Sequence, residues 1–259
     1  MNEVADIYNN LFSFESKKRT TAYPIHKKLD LGVHHADLVD WLFSKVEFNA
    51  GDRVLDAGCG SGYTLIKLAK EKGILGVGIS ISENEIDFSN QQAITQKIEK
   101  KISFQKTSFD SPISSKYDHI IAIESLKHCN DLEFTLTNLC QSLSPNGRLI
   151  IADDFSKTSG SKLLMEHVKL WNSLSYFSKG HLIKTLTSIR DFNISSYDLT
   201  DSVPLRPYLI LQTLIFLVKF LGFCSSGGLK RNLKTYLGGL LLEKLYLRKE
   251  MNYMVFIIN

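Results

Sequence analysis

A glycine-rich turn between two apolar runs constrains this 259-residue chain more than any other feature. The first run contains Val54 and Leu55 and ends in Asp56, and a helical pattern follows the turn. A second apolar run, from Ile74 to Ile81, begins after Gly73, which is the expected helix stop. The stretch therefore predicts a βαβ unit with two parallel strands. In such a unit the crevice beyond the strand ends is the usual ligand site.

The glycines of the turn allow positive φ angles and close approach of the backbone to a ligand. The start of the following helix offers free N–H groups. One interpretation is a dinucleotide site, but its GxGxxG fingerprint has a third glycine where this chain has Tyr63, and the spacing here is GxGxG. Another is a glycine turn without a ligand.

The segment VLDAGCGSG, residues 54–62, resembles the first motif of class I S-adenosylmethionine-dependent methyltransferases. The likeness continues through most of the chain. It implies an α/β fold with a Rossmann-like seven-stranded sheet, six strands parallel and the last antiparallel, an N-terminal helical lid and a helical insertion before the last strand. It also implies S-adenosyl-L-methionine as the cofactor. The implied cofactor-binding residues are Asp56, Gly58, Cys59, Gly60, Gly62, Ser80, Ile81, Ser108, Phe109 and Glu124.

Two of these positions depart from the common pattern of the family. Ser80 stands at the end of the second strand, where an Asp or Glu usually accepts both ribose hydroxyls, and it can make only a single weaker hydrogen bond. The departure resembles the branch of cyclopropane fatty acid synthases and sterol and tocopherol methyltransferases. Ser108 replaces a more usual Asp beside the adenine, and Phe109 packs either on the purine or in the core. Ser82 and Glu85 predict a capping box after the second strand.

The end of the predicted fourth strand, IESLKH (residues 123–128), is the second informative stretch. It resembles the Glu-containing segment of sterol and tocopherol methyltransferases and of enzymes that C-methylate prenyl diphosphates. A carboxylate on an apolar face is costly to bury unless it has a partner or a task. We therefore predict Glu124 as a catalytic residue, with a merely paired carboxylate as the alternative. His128 is a candidate general base or a structural histidine.

Residues 1–33 are interpreted as a lid, and a solvated helix with anchoring aromatics is the alternative. Tyr8 and Tyr23 are candidate catalytic residues whose π faces could stabilise a cation. Basic side chains in this segment could hold a substrate phosphate or diphosphate. They are Lys17, Lys18, Arg19, His26, Lys27 and Lys28.

The resemblance divides the rest into a core, residues 34–203 and 249–259, and a helical cap, residues 204–248. The most apolar run, Tyr208 to Phe223, is shorter than the ~20 residues of a spanning helix and contains Lys219. We therefore expect a buried or substrate-facing helix there, with Phe216, Phe220 and Phe223 making the cap over the substrate pocket apolar; an insertion that packs only on itself is the alternative. Basic residues of the cap could contact an anionic membrane surface.

Composition excludes several classes of function. The net charge is +4 without a long basic tract, so we expect no nucleic-acid partner. The four cysteines form no CxxC pair and no secretory signal begins the chain, so we expect reduced thiols and a cytoplasmic location. The sequence predicts a turn at residues 145–147 and the fifth strand at residues 148–152. Asp153 and Asp154 follow this strand and could bind a metal, but the resemblance implies that they cap a helix or rim the pocket, and we expect no metal.

Three hypotheses about function follow. In the first, the chain methylates a carbon–carbon double bond of an isoprenoid or similar lipid, and Glu124 stabilises the carbocation or removes a proton from it. In the second, it methylates a hydroxyl or amine of a lipophilic natural product, with Glu124 or His128 as general base. In the third, it binds the cofactor without catalysis. The apolar cap and Glu124 favour the first. The oligomeric state stays open.

Overall fold

The computed structural model describes residues 5, 9, 21–24, 26–158, 160–171 and 176–259. Seven strands form one sheet in the order β3-β2-β1-β4-β5-β7-β6. They are β1 (Arg53–Ala57), β2 (Leu75–Ser80), β3 (Ile102–Lys106), β4 (Tyr117–Ile123), β5 (Leu143–Ser156), β6 (Ile194–Asp198) and β7 (Met251–Ile258). Only β7 runs antiparallel to its two neighbours, β5 and β6. The predicted sheet is therefore confirmed.

Eight α-helices lie in the described part of the chain. They are α1 (Leu38–Lys45), α2 (Tyr63–Glu71), α3 (Glu83–Thr95), α4 (Leu132–Gln141), α5 (Lys162–Trp171), α6 (Lys179–Ile189), α7 (Tyr208–Cys224) and α8 (Gly227–Leu247). None of these helices is long and apolar enough to cross a membrane.

Two apolar clusters lie on opposite faces of the sheet. Successive residues of a strand point to opposite faces, so Val54 packs in one cluster and Leu55 in the other, as do Ile150 and Ile151. Helices α1, α2 and α3 cover the first face, and α4 and α6 cover the second. Because both faces of the central strands are buried, their residues read as continuous apolar runs.

Helices α7 and α8 lie between β6 and β7 in the chain and share a third cluster. From α7 it contains Leu211, Ile215 and Val218, and from α8 it contains Leu237, Leu240 and Leu241. The end of α8 returns to the sheet, because Leu245 and Tyr246 pack in the first cluster. The predicted division into a lid, a core and a cap at residues 204–248 stays a prediction.

One predicted strand boundary is wrong. We expected a turn at Pro145–Gly147, a strand at 148–152 and the two aspartates after it, but β5 runs from Leu143 to Ser156 and contains both Asp153 and Asp154. The parallel partner β4 stops pairing at Ala152, whereas the antiparallel partner β7 continues the ladder to Ser156. The end of β5 could not be predicted locally, because its pairing partner there, β7, is the last element of the chain.

Candidate active site

The glycine turn joins β1 to α2 in a conformation that only glycine adopts readily. The φ angles are +95° at Gly58, +50° at Gly60 and +76° at Gly62. A Cβ on Gly58 would lie 2.4 Å from the Cβ of Ser125, and one on Gly62 would lie 2.7 Å from Cζ of Phe104. The turn therefore packs against the segment that follows β4. Among the described residues no side-chain hydrogen bond caps α2, so its first N–H groups face the turn without a capping side chain.

Asp56 carries a buried carboxylate on β1, two residues before Gly58. Only 3% of the residue is exposed, and its Oδ2 atom has no hydrogen-bond partner in the described structure. Burial raises the pKa of Asp56 to about 7. Buried polar atoms are normally hydrogen-bonded. An unsatisfied oxygen beside a glycine turn is therefore an indication of a bound donor.

Ser80 and Glu85 are coupled at the end of β2. The hydroxyl of Ser80 donates to Oε2 of Glu85 at 2.7 Å and accepts the N–H of Ser82 at 3.1 Å. Ser82 caps α3 by accepting the N–H of Glu85 at 3.3 Å. The predicted capping box is thus only half formed, because Glu85 accepts from Ser80 instead of returning to the N–H of Ser82. Burial raises the pKa of Glu85 to about 7.

Glu85 is a candidate site residue that our sequence analysis missed. We assigned it to helix capping only, yet it places a buried carboxylate beside the position where the family usually has one. Ile81 follows β2 directly, and the N–H groups of Gly58 and Cys59 donate to the carbonyl of Ile79 at 2.9 and 3.0 Å. The thiol of Cys59 is buried, and burial raises its pKa well above the usual value.

Ser108 and Phe109 are the residues that the resemblance places beside the adenine. Ser108 accepts the N–H of Asp110 at 3.1 Å, so its hydroxyl oxygen is used within its own loop. Phe109 is partly buried and packs against the second apolar cluster. This packing agrees with the core alternative and leaves the purine contact a prediction.

Glu124 has an unusual backbone at the end of β4. Its φ angle is +51°, a left-handed conformation that a residue other than glycine adopts only when its surroundings hold it. Its N–H donates to the carbonyl of Ala152 at 2.7 Å. Its Oε1 atom accepts the backbone N–H of Lys27 at 2.7 Å and the hydroxyl of Tyr253 at 3.0 Å. The carboxylate is therefore held in a defined orientation.

The carboxylates of Glu124, Asp153 and Asp154 share two ammonium groups. The Nζ atom of Lys127 lies 3.8 Å from Glu124, 3.3 Å from Asp153 and 3.2 Å from Asp154, and that of Lys27 lies 3.2 Å from Asp154. Tyr246, Tyr253 and these five residues form what we call the ionic cluster, in which the hydroxyl of Tyr246 donates to Asp154. Within the described residues no group is arranged to hold a metal ion.

Burial and the two lysines of the ionic cluster shift the pKa values of its carboxyl groups. Burial by itself would raise the pKa of Glu124, but Lys27 and then Lys127 outweigh it, and the pKa lies below the usual value. Asp154 follows the same pattern, whereas burial raises the pKa of Asp153 to about 6. Glu124 is therefore an ionised carboxylate at neutral pH, with its side chain 17% exposed. Such a group can oppose a positive charge.

The other predicted catalytic residues are less favourably placed. Burial, followed by the charge of Lys127, lowers the pKa of His128 to about 3, so its imidazole is a weak general base at neutral pH. Tyr23 is buried beside the glycine turn, where Ser61 donates to its carbonyl and accepts its N–H at 3.3 Å. Tyr8 lies outside the described residues, as do Lys17, Lys18 and Arg19.

Lys27 is one of the basic residues that could hold an anionic substrate group. In the structure its ammonium group pairs with Asp154 and Glu124, and the substrate contact stays a prediction. Tyr246 and Tyr253 were missed altogether. A tyrosine in an apolar strand or helix carries no sign that its hydroxyl meets a carboxylate, so the sequence contained no usable signal for either.

Residues 48–192, more than half of the chain, match the family described as methyltransferase domain. The chain belongs to this methyltransferase family. It is 32% identical over 118 residues to the 27-O-demethylrifamycin SV methyltransferase of Amycolatopsis mediterranei, a match that covers 45% of this chain and 43% of that relative. The match thus spans less than half of that relative's length.

Two further similarities extend over most of this methyltransferase-family chain. An S-adenosyl-L-methionine-dependent Diels-Alderase of Talaromyces variabilis is 23% identical over 244 residues, covering 88% of this chain and 80% of the relative. The geranyl diphosphate C-methyltransferase of Streptomyces coelicolor, solved with Mg²⁺, geranyl diphosphate and S-adenosyl-L-homocysteine, superimposes with a TM-score of 0.73 at 16% identity. That superposition covers 100% of this chain and 97% of the other, and it confirms the fold.

Proposed function

We propose that this chain is an S-adenosylmethionine-dependent methyltransferase that acts on a lipophilic small molecule, with a carbon–carbon double bond of an isoprenoid as the favoured methyl acceptor. One observation carries the choice of acceptor. An ionised carboxylate, Glu124, is held at the end of β4 directly before Ser125, which packs on the first glycine of the turn. From the end of β4, the carboxylate of Glu124 can face positive charge that develops on the methyl acceptor.

The residues around the turn fit the cofactor. When bound, S-adenosylmethionine supplies an electrophilic methyl group. The unsatisfied Oδ2 of Asp56 is an acceptor for a donor on the ligand, and the glycines of the turn carry no Cβ that would hinder close approach of a ligand to the backbone. Glu85, buried beside Ser80, would accept ribose hydroxyls in place of the missing carboxylate at position 80.

Glu124 would act through its charge. Addition of a methyl group to a double bond leaves a positive charge on the acceptor, and the product forms when a neighbouring carbon loses a proton. An ionised carboxylate in a partly dehydrated site stabilises that charge and can receive the proton. Lys27 and Tyr253 fix its orientation, so it needs little rearrangement during the reaction.

Two alternatives have support of their own. The relative from Amycolatopsis bears the name of an O-methyltransferase, which favours a hydroxyl acceptor with Glu124 or His128 as base; the lowered pKa of His128 counts against His128 in that role. The Diels-Alderase aligns with a larger share of this chain, which favours cofactor binding without methyl transfer. In both alternatives the cofactor site is the same.

Labelled methyl transfer distinguishes these functions. The full chain would be incubated with methyl-labelled S-adenosylmethionine and a panel of prenyl diphosphates, sterols, quinones and hydroxylated polyketides, and mass spectrometry would locate the label. We expect label on carbon. Label on oxygen would select the first alternative, and tight cofactor binding without any labelled product would select the second. Calorimetry that detects no binding of the cofactor would refute the proposal.

A variant of Glu124 tests its role. We expect Glu124→Gln to lower turnover by about 100-fold or more, because its neutral amide no longer opposes the positive charge, while cofactor affinity stays within about threefold. Glu83→Gln is the matched control, because Glu83 is exposed and pairs only with Lys106 in the described structure. Unchanged turnover of Glu124→Gln would exclude the charge-stabilising role.

A further inference from the structure

Helix α7 is apolar on two opposite faces. Leu211, Ile215 and Val218 form the buried face, which packs on α8. Successive helical residues are separated by about 100°, so a second set of side chains falls within one sector on the other side. This set, the outer face, consists of Leu209, Phe216, Phe220 and Phe223. A surface helix normally carries polar residues there.

The outer face is large and open. Phe216, Phe220 and Phe223 are 69%, 59% and 87% exposed, and Leu209 is 77% exposed. At roughly 200 Å² for each aromatic side chain, the three phenylalanines alone leave about 400 Å² of apolar surface. Exposed apolar residues flank them at Ile210, Leu217, Leu221 and Leu229. A contiguous patch of this size marks an interaction site. The three phenylalanines thus lie on the side of α7 away from its contact with α8, and the expected contact of this helix with substrate stays a prediction.

The segment that contains the outer face carries basic residues and no acidic ones. Residues 205–242 contain five Lys or Arg and no Asp or Glu. Two of the five are paired, Arg206 with Glu243 and Lys219 with Glu166. The other three, Lys230, Arg231 and Lys234, are exposed at the start of α8 and make no ion pair within the described residues. We call these three the basic rim.

We propose that the outer face of α7 and the basic rim form a docking surface for an anionic lipid bilayer. Exposed phenylalanines and leucines with cations beside them are the composition of helices that lie in a membrane interface. The helix has 17 residues and carries Lys219, so it suits an orientation along the surface and is too short to span the hydrocarbon. A second copy fits less well, because residues 205–242 offer no carboxylate to pair with its basic rim.

Vesicle flotation with the full chain tests the proposal. Vesicles of phosphatidylcholine with 30% phosphatidylglycerol should carry the protein upward, and vesicles of phosphatidylcholine alone should carry much less. Cys224 follows Phe223 directly and is exposed, whereas the other three cysteines of the chain are buried. An environment-sensitive fluorophore on Cys224 should therefore brighten and shift to the blue when the anionic vesicles are added.

Two sets of variants separate the apolar and the ionic contributions. The triple variant Phe216→Ser, Phe220→Ser, Phe223→Ser should reduce binding to the anionic vesicles by at least about 100-fold. Phe134→Ser is its control, because Phe134 is 52% exposed on the distant helix α4 and should have no effect. Circular dichroism and thermal unfolding would show that the triple variant is folded, as expected for substitutions of exposed side chains.

The basic rim is tested by Lys230→Gln, Arg231→Gln, Lys234→Gln. Near an anionic surface each lost cation weakens binding by roughly fivefold, so the three together should weaken it on the order of 100-fold. The same charge loss at the exposed residues Lys97, Lys100 and Lys101 is the control and should have much less effect. Three results would each overturn the proposal: no binding to anionic vesicles, equal binding of the phenylalanine variant, or a vesicle-independent dimer that the phenylalanine variant abolishes in sedimentation velocity.

Discussion

Substitution of Lys127 by methionine should lower the free energy of unfolding much more than the loss of an exposed lysine charge. Lys127 is only 3% exposed, and its ammonium group lies within 3.8 Å of the carboxylates of Glu124, Asp153 and Asp154. Methionine has a similar length, so the substitution removes the charge with little change in packing. Lys27, which pairs with Glu124 and Asp154, would remain as the one cation of the ionic cluster, and Asp153 would lose its ion pair.

Removal of one partner from a buried ion pair typically costs about 3–5 kcal/mol. That is a large part of the roughly 5–15 kcal/mol by which domains are stable. Lys106→Met is the matched control, because Lys106 forms a 2.7 Å ion pair with Glu83 in which both side chains are more than half exposed. Water screens such a pair, so we expect no measurable change in the free energy of unfolding.

The cost of Lys127→Met should depend on pH. In the folded protein the pKa of Asp154 is lowered, by Lys27 and then Lys127 against the effect of burial. Its ionised form therefore stabilises the native state above its unfolded pKa, and this contribution is lost as the pH falls. The pKa of Asp154 is lowered from its usual 3.8, so this loss begins only below about pH 4. The variant has less of it to lose, so the difference from the native sequence should stay nearly constant from pH 7 to about pH 4 and shrink below that.

Urea unfolding followed by circular dichroism at pH 7 and at about pH 3 measures both effects. We expect the midpoint of Lys127→Met to fall sharply at pH 7 and that of Lys106→Met to stay unchanged. The prediction would be contradicted if Lys127→Met lowered the free energy of unfolding by less than about 1 kcal/mol at pH 7, or if the decrease became larger on acidification. Either result would mean that water reaches the ionic cluster and screens it.

Three further predictions concern single residues. Gly62→Ala should cost about 1–3 kcal/mol more than Gly51→Ala in urea unfolding, because both glycines have positive φ but only Gly62 meets other atoms at Cβ; equal costs would contradict the close packing of Phe104 on Gly62. Burial lowers the pKa of His167 to about 4, so stability should fall by about 3 kcal/mol as the pH falls from 6.5 to 4, and His167→Gln should flatten this profile. Glu85→Ala should weaken cofactor binding in calorimetry by about 10-fold or more, whereas Glu83→Ala, on the exposed side of the same helix turn, should not; equal effects would remove Glu85 from the site.

The glycine turn and the elements beside it could be predicted well because the sequence signals there are local. Positive φ requires glycine, a buried strand is an apolar run, and helix α2 has a 3.6-residue apolar period. The order of these elements and the likeness of residues 54–62 predicted the family and the sheet, and both are confirmed. Glu124 was also predicted from local sequence, since burial of a carboxylate at the end of an apolar strand costs free energy unless it has a partner or a function.

Partners that are distant in the chain could not be predicted. Glu124 accepts hydrogen bonds from Lys27, 97 residues earlier, and from Tyr253, 129 residues later. Tyr246 donates to Asp154 across 92 residues. Nothing local marks such pairs, because the folded chain alone brings these elements together. The same reason explains why the pairing of Lys27 with Asp154 and Glu124 was not predicted.

Local sequence patterns were enough to predict the glycine turn, the alternation of strands and helices, the family, and a very apolar helix before the last strand. The tertiary structure alone decided that Glu124 is ionised and oriented, that Glu85 lies beside Ser80, and that Phe216, Phe220 and Phe223 face outward. Local patterns reflect the backbone conformation and burial of single elements. Charge state, hydrogen-bond partners and the exposed side of an apolar helix depend on which elements pack together, and only the three-dimensional arrangement shows that.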